Sequence, residues 1–164
     1  MITQEQVKKL FDYNQETGVL SFRLSRGRSK IGEPVGTLLT NDYLRTFIDC
    51  KSYYVHRIVF LHCNGYIPTQ IDHINQVKID NRISNLRECD RHQNEGNTKK
   101  RSHNTSGFKG VFHHQGKWMV RIAGSYVGIY DSPALAAIAY DEAAIEHYGE
   151  FAGTNLPSFF RRSI

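Results

Sequence analysis

Apolar and polar positions alternate along this chain with a period that changes from block to block, and the changes mark out elements. Thr3-Gln4-Glu5-Gln6 has the form of a capping box, and Val7, Leu10 and Phe11 then fall on one helical face, so a short helix is predicted at the start. A turn at Glu16-Thr17-Gly18 follows. Residues 19–24, 35–39 and 43–48 alternate apolar with polar and carry β-branched or aromatic side chains, the pattern of strands in a small antiparallel sheet. Residues 55–61 are too densely apolar to alternate and predict a buried helix, ended by Asn64-Gly65 with Pro68 beyond. A strand at 70–74, a long polar loop at 75–84, a returning strand at 86–89 and a helix at 91–99 capped by Asp90 complete this half.

The second half has a simpler rhythm. Residues 98–106 are polar, basic and poor in apolar side chains, as a linker is. Strand-like runs at 108–114, 117–123 and 126–130 are joined by turns at Gln115-Gly116 and Gly124-Ser125, which predicts antiparallel hairpins. Ser132-Pro133 opens a helix over 134–148, stopped by Gly149, whose apolar face is expected at Leu135, Ile138, Ala139, Ala143 and Ile145. Alternation along the middle strand puts Lys117, Met119 and Arg121 on one face and Trp118, Val120 and Ile122 on the other, so Trp118 is expected in the core against the helix.

With 164 residues and 40% hydrophobic composition, two small modules use the length better than one extended domain. Net charge is +5, which favours a polyanionic partner without identifying one. The charge is unevenly placed: from Gly96 to Tyr130 there is no Asp or Glu, while Lys99, Lys100, Arg101, Lys109, Lys117 and Arg121 are joined by His103, His113 and His114. Cations without counter-charges release condensed counterions when they meet phosphates, so this is the DNA-facing stretch. A second basic group, Arg23, Arg26, Arg28 and Lys30 around Gly27 and Gly32, is either a backbone contact or a solvated loop. The Arg161-Arg162 tail is a frayed end with a minor option of backbone contact.

Cys50, Cys63 and Cys89 lie far apart with no C-x-x-C pair, so each reads as a small apolar side chain in a reducing compartment and zinc through cysteine is disfavoured. His113-His114 points to opposite sides of a strand and makes a poor metal pair. No apolar run is long enough to span a bilayer and no basic-apolar leader is present, so a soluble, cytoplasmic protein without an obligatory protein partner is expected.

The chemistry concentrates at Asp72 and His73, followed by Asn85 and Asn94 at the spacing D-H-x11-N-x8-N. Mg²⁺ prefers oxygen ligands and takes one or two protein groups, a demand met by the Asp72 carboxylate and the Asn94 carboxamide, with Mn²⁺ as a substitute ion. Neutral His73 can take a proton from water, since an imidazole titrates near neutrality. Read blandly, Asp72-His73 is a turn pair and the two asparagines are loop and cap residues.

The run Ile71-Asp72-His73-Ile74-Asn75, then Asp80-Asn81-Arg82-Ile83-Ser84-Asn85-Leu86-Arg87, then His92-Gln93-Asn94 resembles the HNH nuclease family in its ββα-metal form, of the phage and intron homing type, over residues 50–100. The resemblance implies catalytic Asp72, His73 and Asn85, with Asn85 tying the loop and holding the His73 strand, and a metal held by Asp72 and Asn94. The family name implies histidine where Asn94 stands, which leaves His92 and Asn97 as rival ligands. The helix before Asp72 also looks like the lead-in of phage HNH proteins. His56 and Arg57 either approach the scissile strand or serve as an interior histidine and a surface arginine.

Ser106-Gly107-Phe108-Lys109-Gly110-Val111, Gly116-Lys117-Trp118-Met119-Val120-Arg121-Ile122, Val127-Gly128-Ile129-Tyr130-Asp131-Ser132, Ala139-Tyr140-Asp141 and Asn155-Leu156 together resemble the APETALA/ethylene-response-factor DNA-binding domain. In that family a three-stranded sheet lies in the major groove, which implies β-ribbon readout here. Arg121 falls where plant members often carry an acid, so plant sequence preference does not transfer.

The expected fold class is α+β: a small antiparallel sheet and helices leading into a ββα-metal HNH core, followed by a three-stranded antiparallel sheet packed on one helix. Residues 1–98 would form the N-terminal region and nuclease domain, 99–106 a basic linker, 107–157 the APETALA/ERF-type domain and 158–164 a tail. The expected activity is metal-dependent hydrolysis of double-stranded DNA, nicking one strand near a site bound by the C-terminal domain, in a phage-encoded protein. DNA contacts are expected from Arg57, Arg87, Lys99, Lys100, Arg101, Lys109, His114, Lys117 and Arg121. A DNA-binding regulator on an inactive scaffold and a nuclease without sequence preference are the rival readings.

Overall fold

The structure is a computed structural model that describes residues 2–25 and 27–157. Arg26 of the first basic group and the Arg161-Arg162 tail lie outside the described residues. Contacts divide the chain between Asp90 and Arg91 into two compact units, each with its own core.

The first unit opens with α1 (Gln4–Leu10), whose capping box is complete: the Thr3 hydroxyl accepts from the Gln6 amide and the Gln6 side chain accepts from the Thr3 amide. The helix runs directly into β1 (Phe11–Tyr13), which pairs antiparallel with β2 (Leu20–Phe22). β3 (Thr37–Leu38), β4 (Leu44–Ile48) and β5 (Lys51–Tyr54) form a separate antiparallel sheet with β4 in the middle. The single sheet expected for the N-terminal strands is therefore two. β2 takes β1 as its strand partner, and only the segment leading to β3 touches its other edge, where the Val35 amide donates to the Leu20 carbonyl.

β5 escapes the sequence pattern because its hairpin turn is Asp49-Cys50, with φ of 48° and 62°, and Cys50 stands where such a turn usually carries glycine. α2 (Val55–Asn64) follows, buries Val55, Ile58, Val59, Phe60 and Leu61, and ends on Gly65 at φ 84°. β6 (Gln70–His73) and β7 (Leu86–Cys89) form an antiparallel pair that places Asp72 opposite Arg87 and His73 opposite Leu86.

The second unit begins with α3 (Arg91–Gly96), shorter than the predicted 91–99. Its residues pack within this unit: a Cβ on Gly96 would meet the Tyr148 ring at 2.6 Å, and the Gly96 carbonyl accepts from the Gly153 amide. The helix assigned by sequence to the nuclease region thus belongs by its contacts to the second unit. The expected linker is bonded into the same unit, with Lys100 Nζ on the Gly107 carbonyl, Asn104 Nδ2 on that of Phe108 and Ser106 Oγ on that of Val111.

β8 (Val111–His114), β9 (Lys117–Ile122) and β10 (Ser125–Tyr130) form a three-stranded antiparallel sheet with β9 central, packed on α4 (Pro133–Tyr148). The first hairpin turns at Gln115-Gly116 as predicted, with φ of 47° and 79°. The second turns at Ala123-Gly124, one residue before the expected pair, since Ser125 already pairs with Ile122. Ser132 caps α4 through the Leu135 amide.

The apolar face predicted for α4 needs correction. Ala136, Ala137, Tyr140 and Ala144 are buried, whereas Leu135 and Ile145 are 50% and 42% exposed. Small side chains let the helix approach the sheet closely, and Tyr140 fills the space beside Gly110, where a Cβ would lie 2.1 Å from its ring. Trp118 packs against this core, on the face that alternation assigned to it.

Candidate functional site

The Asp72-His73 step lies at the end of β6 and is held from three sides. Asp72 is buried, and its Oδ2 accepts from Arg87 Nε at 3.0 Å and Nη2 at 2.8 Å across the strand pair. A buried carboxylate needs such compensation, because desolvating a lone charge costs several kcal/mol. Arg87, expected to contact DNA, is thus engaged with the candidate ligand itself.

The loop after His73 closes on Asn85. The Asn85 Oδ1 accepts from the Asn75 amide at 3.0 Å, its Nδ2 donates to the Asp80 carbonyl at 2.8 Å, and its own carbonyl accepts from the Ile74 amide at 2.9 Å. Both ends of a polar twelve-residue excursion are therefore fastened through one buried carboxamide. Asp80 adds a second knot, accepting from Asn75 Nδ2 and Arg82 Nε, and these hydrogen bonds hold its carboxyl down at about 2, the Arg82 guanidinium contributing most.

Asn81, buried to 2% exposure, meets the imidazole directly, its Oδ1 lying 3.3 Å from His73 Nε2. Its backbone is fixed in turn, since the Tyr13 hydroxyl donates to the Asn81 carbonyl at 3.0 Å and accepts from the Ile83 amide at 2.8 Å. Gly18 at φ 73° allows this approach: a Cβ there would fall 2.4 Å from the Arg82 nitrogen. The Glu16-Thr17-Gly18 turn thereby supports the loop after His73 from far away in sequence.

An aromatic nest closes the remaining side. The His73 ring centroid lies 5.1 Å from His56, edge to face, and 5.9 Å from Tyr43, while Tyr54 stacks on His56 at 5.6 Å. Burial, reinforced by His73 and Arg57, pushes His56 down to about 3. Burial also lowers His73, against the opposing pull of the Asn81 contact and the Asp72 charge, so the imidazole is neutral at pH 7. A neutral imidazole is the form that accepts a proton.

His56 is thus an interior histidine beside the candidate base. Arg57 donates to the Pro68 and Thr69 carbonyls at 2.8 and 3.3 Å, bracing the turn that leads into β6 and drawing it away from the DNA-contact role expected of it.

The donor chemistry fits a hard, oxygen-preferring divalent ion: a carboxylate at Asp72 and a carboxamide at Asn94. Burial raises the Cys89 thiol to about 11, so it stays protonated and supplies no thiolate. Asn94 stands on α3 in the second unit. Of its rivals, His92 is committed elsewhere in that unit, with Nε2 3.1 Å from His147 Nε2 and its ring against Tyr148, and Asn97 is buried.

In the second unit the expected phosphate contacts divide. Lys99, Lys100, Arg101 and His103 line a cavity of about 550 Å³ with Arg121, above Tyr140 and Tyr148. Lys109 turns inward instead: its Nζ donates to the Gly96 carbonyl at 2.7 Å, and burial lowers it to about 8. Backbone carbonyls thus hold the half-buried ammonium of Lys109, a residue expected to contact DNA, within its own unit. Lys117 is exposed and pairs with Asp131 at 2.8 Å, and His114 lies opposite it.

Three contributors were missed by sequence reasoning: Asn81, Tyr13 and Tyr43. Asn81 lies inside the recognised motif and could have been weighed as a partner for His73. Tyr13 acts across 68 residues and carries no local signal.

Comparison with curated proteins and with solved structures finds no match. Among the described residues no helix is long and apolar enough to cross a membrane. Residues 53–95, the segment that runs through α2, β6 and β7 into α3, match the family model for HNH endonuclease.

Proposed function

We propose that this protein is a metal-dependent DNA endonuclease of the homing HNH type, which nicks one strand near a site held by its C-terminal sheet. The observation that carries this reading is the buried pair of Asp72, clasped by Arg87, and His73, neutral and fixed against Asn81, on a loop closed by Asn85. Asp72 and Asn94 are the residues that would hold Mg²⁺ or Mn²⁺. The ion, when bound, would neutralise charge on the scissile phosphate and the leaving oxygen.

In this reading His73 takes the proton from the attacking water, and its tight seat keeps the imidazole in line with the phosphorus. Asn85 contributes by holding the strand that presents His73. Lys99, Lys100, Arg101, His114, Lys117 and Arg121 would meet the phosphates, supported by a stretch from Gly96 to Tyr130 without a single acid. The protein would be phage-encoded and act in the host cytoplasm. One active site per chain cuts one strand, so a nick is the expected product.

One observation favours the scaffold reading: the Arg87 guanidinium already neutralises Asp72. Supercoiled plasmid with Mg²⁺ separates the two. Relaxed circles that disappear with chelator and in Asp72→Ala support the endonuclease; plasmid that stays supercoiled while still being bound supports the scaffold.

A further inference from the structure

The outer face of the second unit's sheet has a composition that water alone does not explain. Val111, Trp118, Val120, Ile122, Val127 and Tyr130 pack toward α4. The alternate residues form cross-strand rows on the other face: His114 opposite Lys117, then Phe112 opposite Met119 opposite Ile129, then Arg121 opposite Tyr126. An apolar row thus lies between two rows that each carry a cation. Phe112 and Ile129 are 46% and 44% exposed, although a solvated sheet face would place polar side chains there.

The occupant must accept cations at the margins and offer apolar groups in the centre. The acid-free composition from Gly96 to Tyr130 calls for a polyanion. A duplex meets both demands, because its phosphates rim a major groove in which each thymine presents a C5 methyl group. Dimensions agree: three strands about 4.8 Å apart carry the row over about 10 Å, the rise of about three base pairs.

We infer that the Phe112–Met119–Ile129 row recognises thymine methyl groups in the target's major groove. This rests on the proposed reading of the sheet as the DNA-contacting part of an endonuclease, and it adds what that part selects. Met119, half-buried between its two neighbours, sits at the centre of the row. Its unbranched, polarizable chain suits the contact. Lys117 would exchange Asp131 for a phosphate.

The test uses the full chain. A site is selected by binding from random duplexes in EDTA and resynthesised with deoxyuridine for thymidine, which removes only the methyl, or with 5-methylcytosine·guanine pairs, which restore a methyl at the same place. Selected sites should contain adjacent thymines. Each methyl removed should weaken binding about fourfold, the worth of one buried carbon. Methylcytosine should recover part of the loss, and Met119→Gln or Ile129→Thr should each reduce the uracil penalty. Equal affinity of the native protein for both duplexes, an undiminished uracil penalty in both variants, a selected site without thymine, or no selected site would each overturn the inference. Cleavage of the thymine duplex in Mg²⁺, scored in parallel, reports on the endonuclease separately: cuts without a uracil effect retain the enzyme and remove the thymine contact.

Discussion

In the first unit the buried imidazoles of His56 and His73 lie ring against ring and are kept neutral, while in the second the half-buried ammonium of Lys109 is supplied with carbonyl acceptors. Both sites desolvate a basic group, and both lower its proton affinity. They differ in what compensates. Around His73 the partners are side chains on a loop closed by hydrogen bonds, an arrangement that on the proposed reading holds a base ready to take a proton. Around Lys109 they are backbone carbonyls of Gly96 and Gly153, which fix the start of the sheet to the residues after α4. On that reading one region uses its buried polarity for reactivity and the other for rigidity.

The comparison breaks most sharply at His73. His73→Ala should lower cleavage by about 10²- to 10⁴-fold, the worth of a general base, while DNA affinity measured in EDTA stays unchanged. Next come the two hydrogen-bonding hubs. Asn85→Ala strands the Asn75 amide and the Asp80 carbonyl and should cost the first unit about 2–4 kcal/mol in urea unfolding. Asp141, fully buried, accepts from the Asn155 and Leu156 amides at 2.6 and 2.8 Å. Asp141→Ala should destabilise the second unit by a similar amount, with selective loss of its protection from hydrogen exchange.

The pH dependence has the same sign in both units and differs in range. The unfolded chain protonates His56 near 6.5, but the folded first unit resists to about 3, so unfolding takes up a proton in that window. Stability should fall as pH drops below about 6.5, by at most about 1.4 kcal/mol per pH unit, and His56→Phe should flatten that slope in urea titrations. Lys109 acts at the other end. Between about 8 and 10.5 the folded second unit has released a proton that the unfolded chain retains, so this group's contribution favours folding increasingly as pH rises. The smallest effect is expected at the surface: Arg121→Ala should reduce the salt dependence of DNA binding by about one phosphate contact, a slope change of about 0.9, whereas Lys109→Met should leave that slope unchanged.

Much of this was legible in the residues because it is local. The capping box at Thr3, the stop at Gly65, the β6–β7 pair and the Ser132 cap all follow from neighbours within a few positions. The Asp72-His73-Asn85 spacing likewise encodes a local loop. What escaped depends on distance or on unusual conformation. Tyr13 reaches the loop after His73 from β1, β5 hides behind a left-handed Asp49-Cys50 turn, and α4 buries its alanines where hydrophobicity pointed to Leu135 and Ile145. Lys109 was assigned to DNA by its charge and by its place in the APETALA/ERF resemblance, and neither reveals which way a long side chain turns.

The central claim is that Asp72 and His73 form a working hydrolytic centre, and sequencing the ends of duplex DNA after incubation with the protein and Mg²⁺ tests it most directly. The account predicts breaks on one strand at defined positions, absent when Asp72 or His73 is replaced by alanine. Intact strands with both Mg²⁺ and Mn²⁺, or breaks that persist unchanged in those variants, would contradict it.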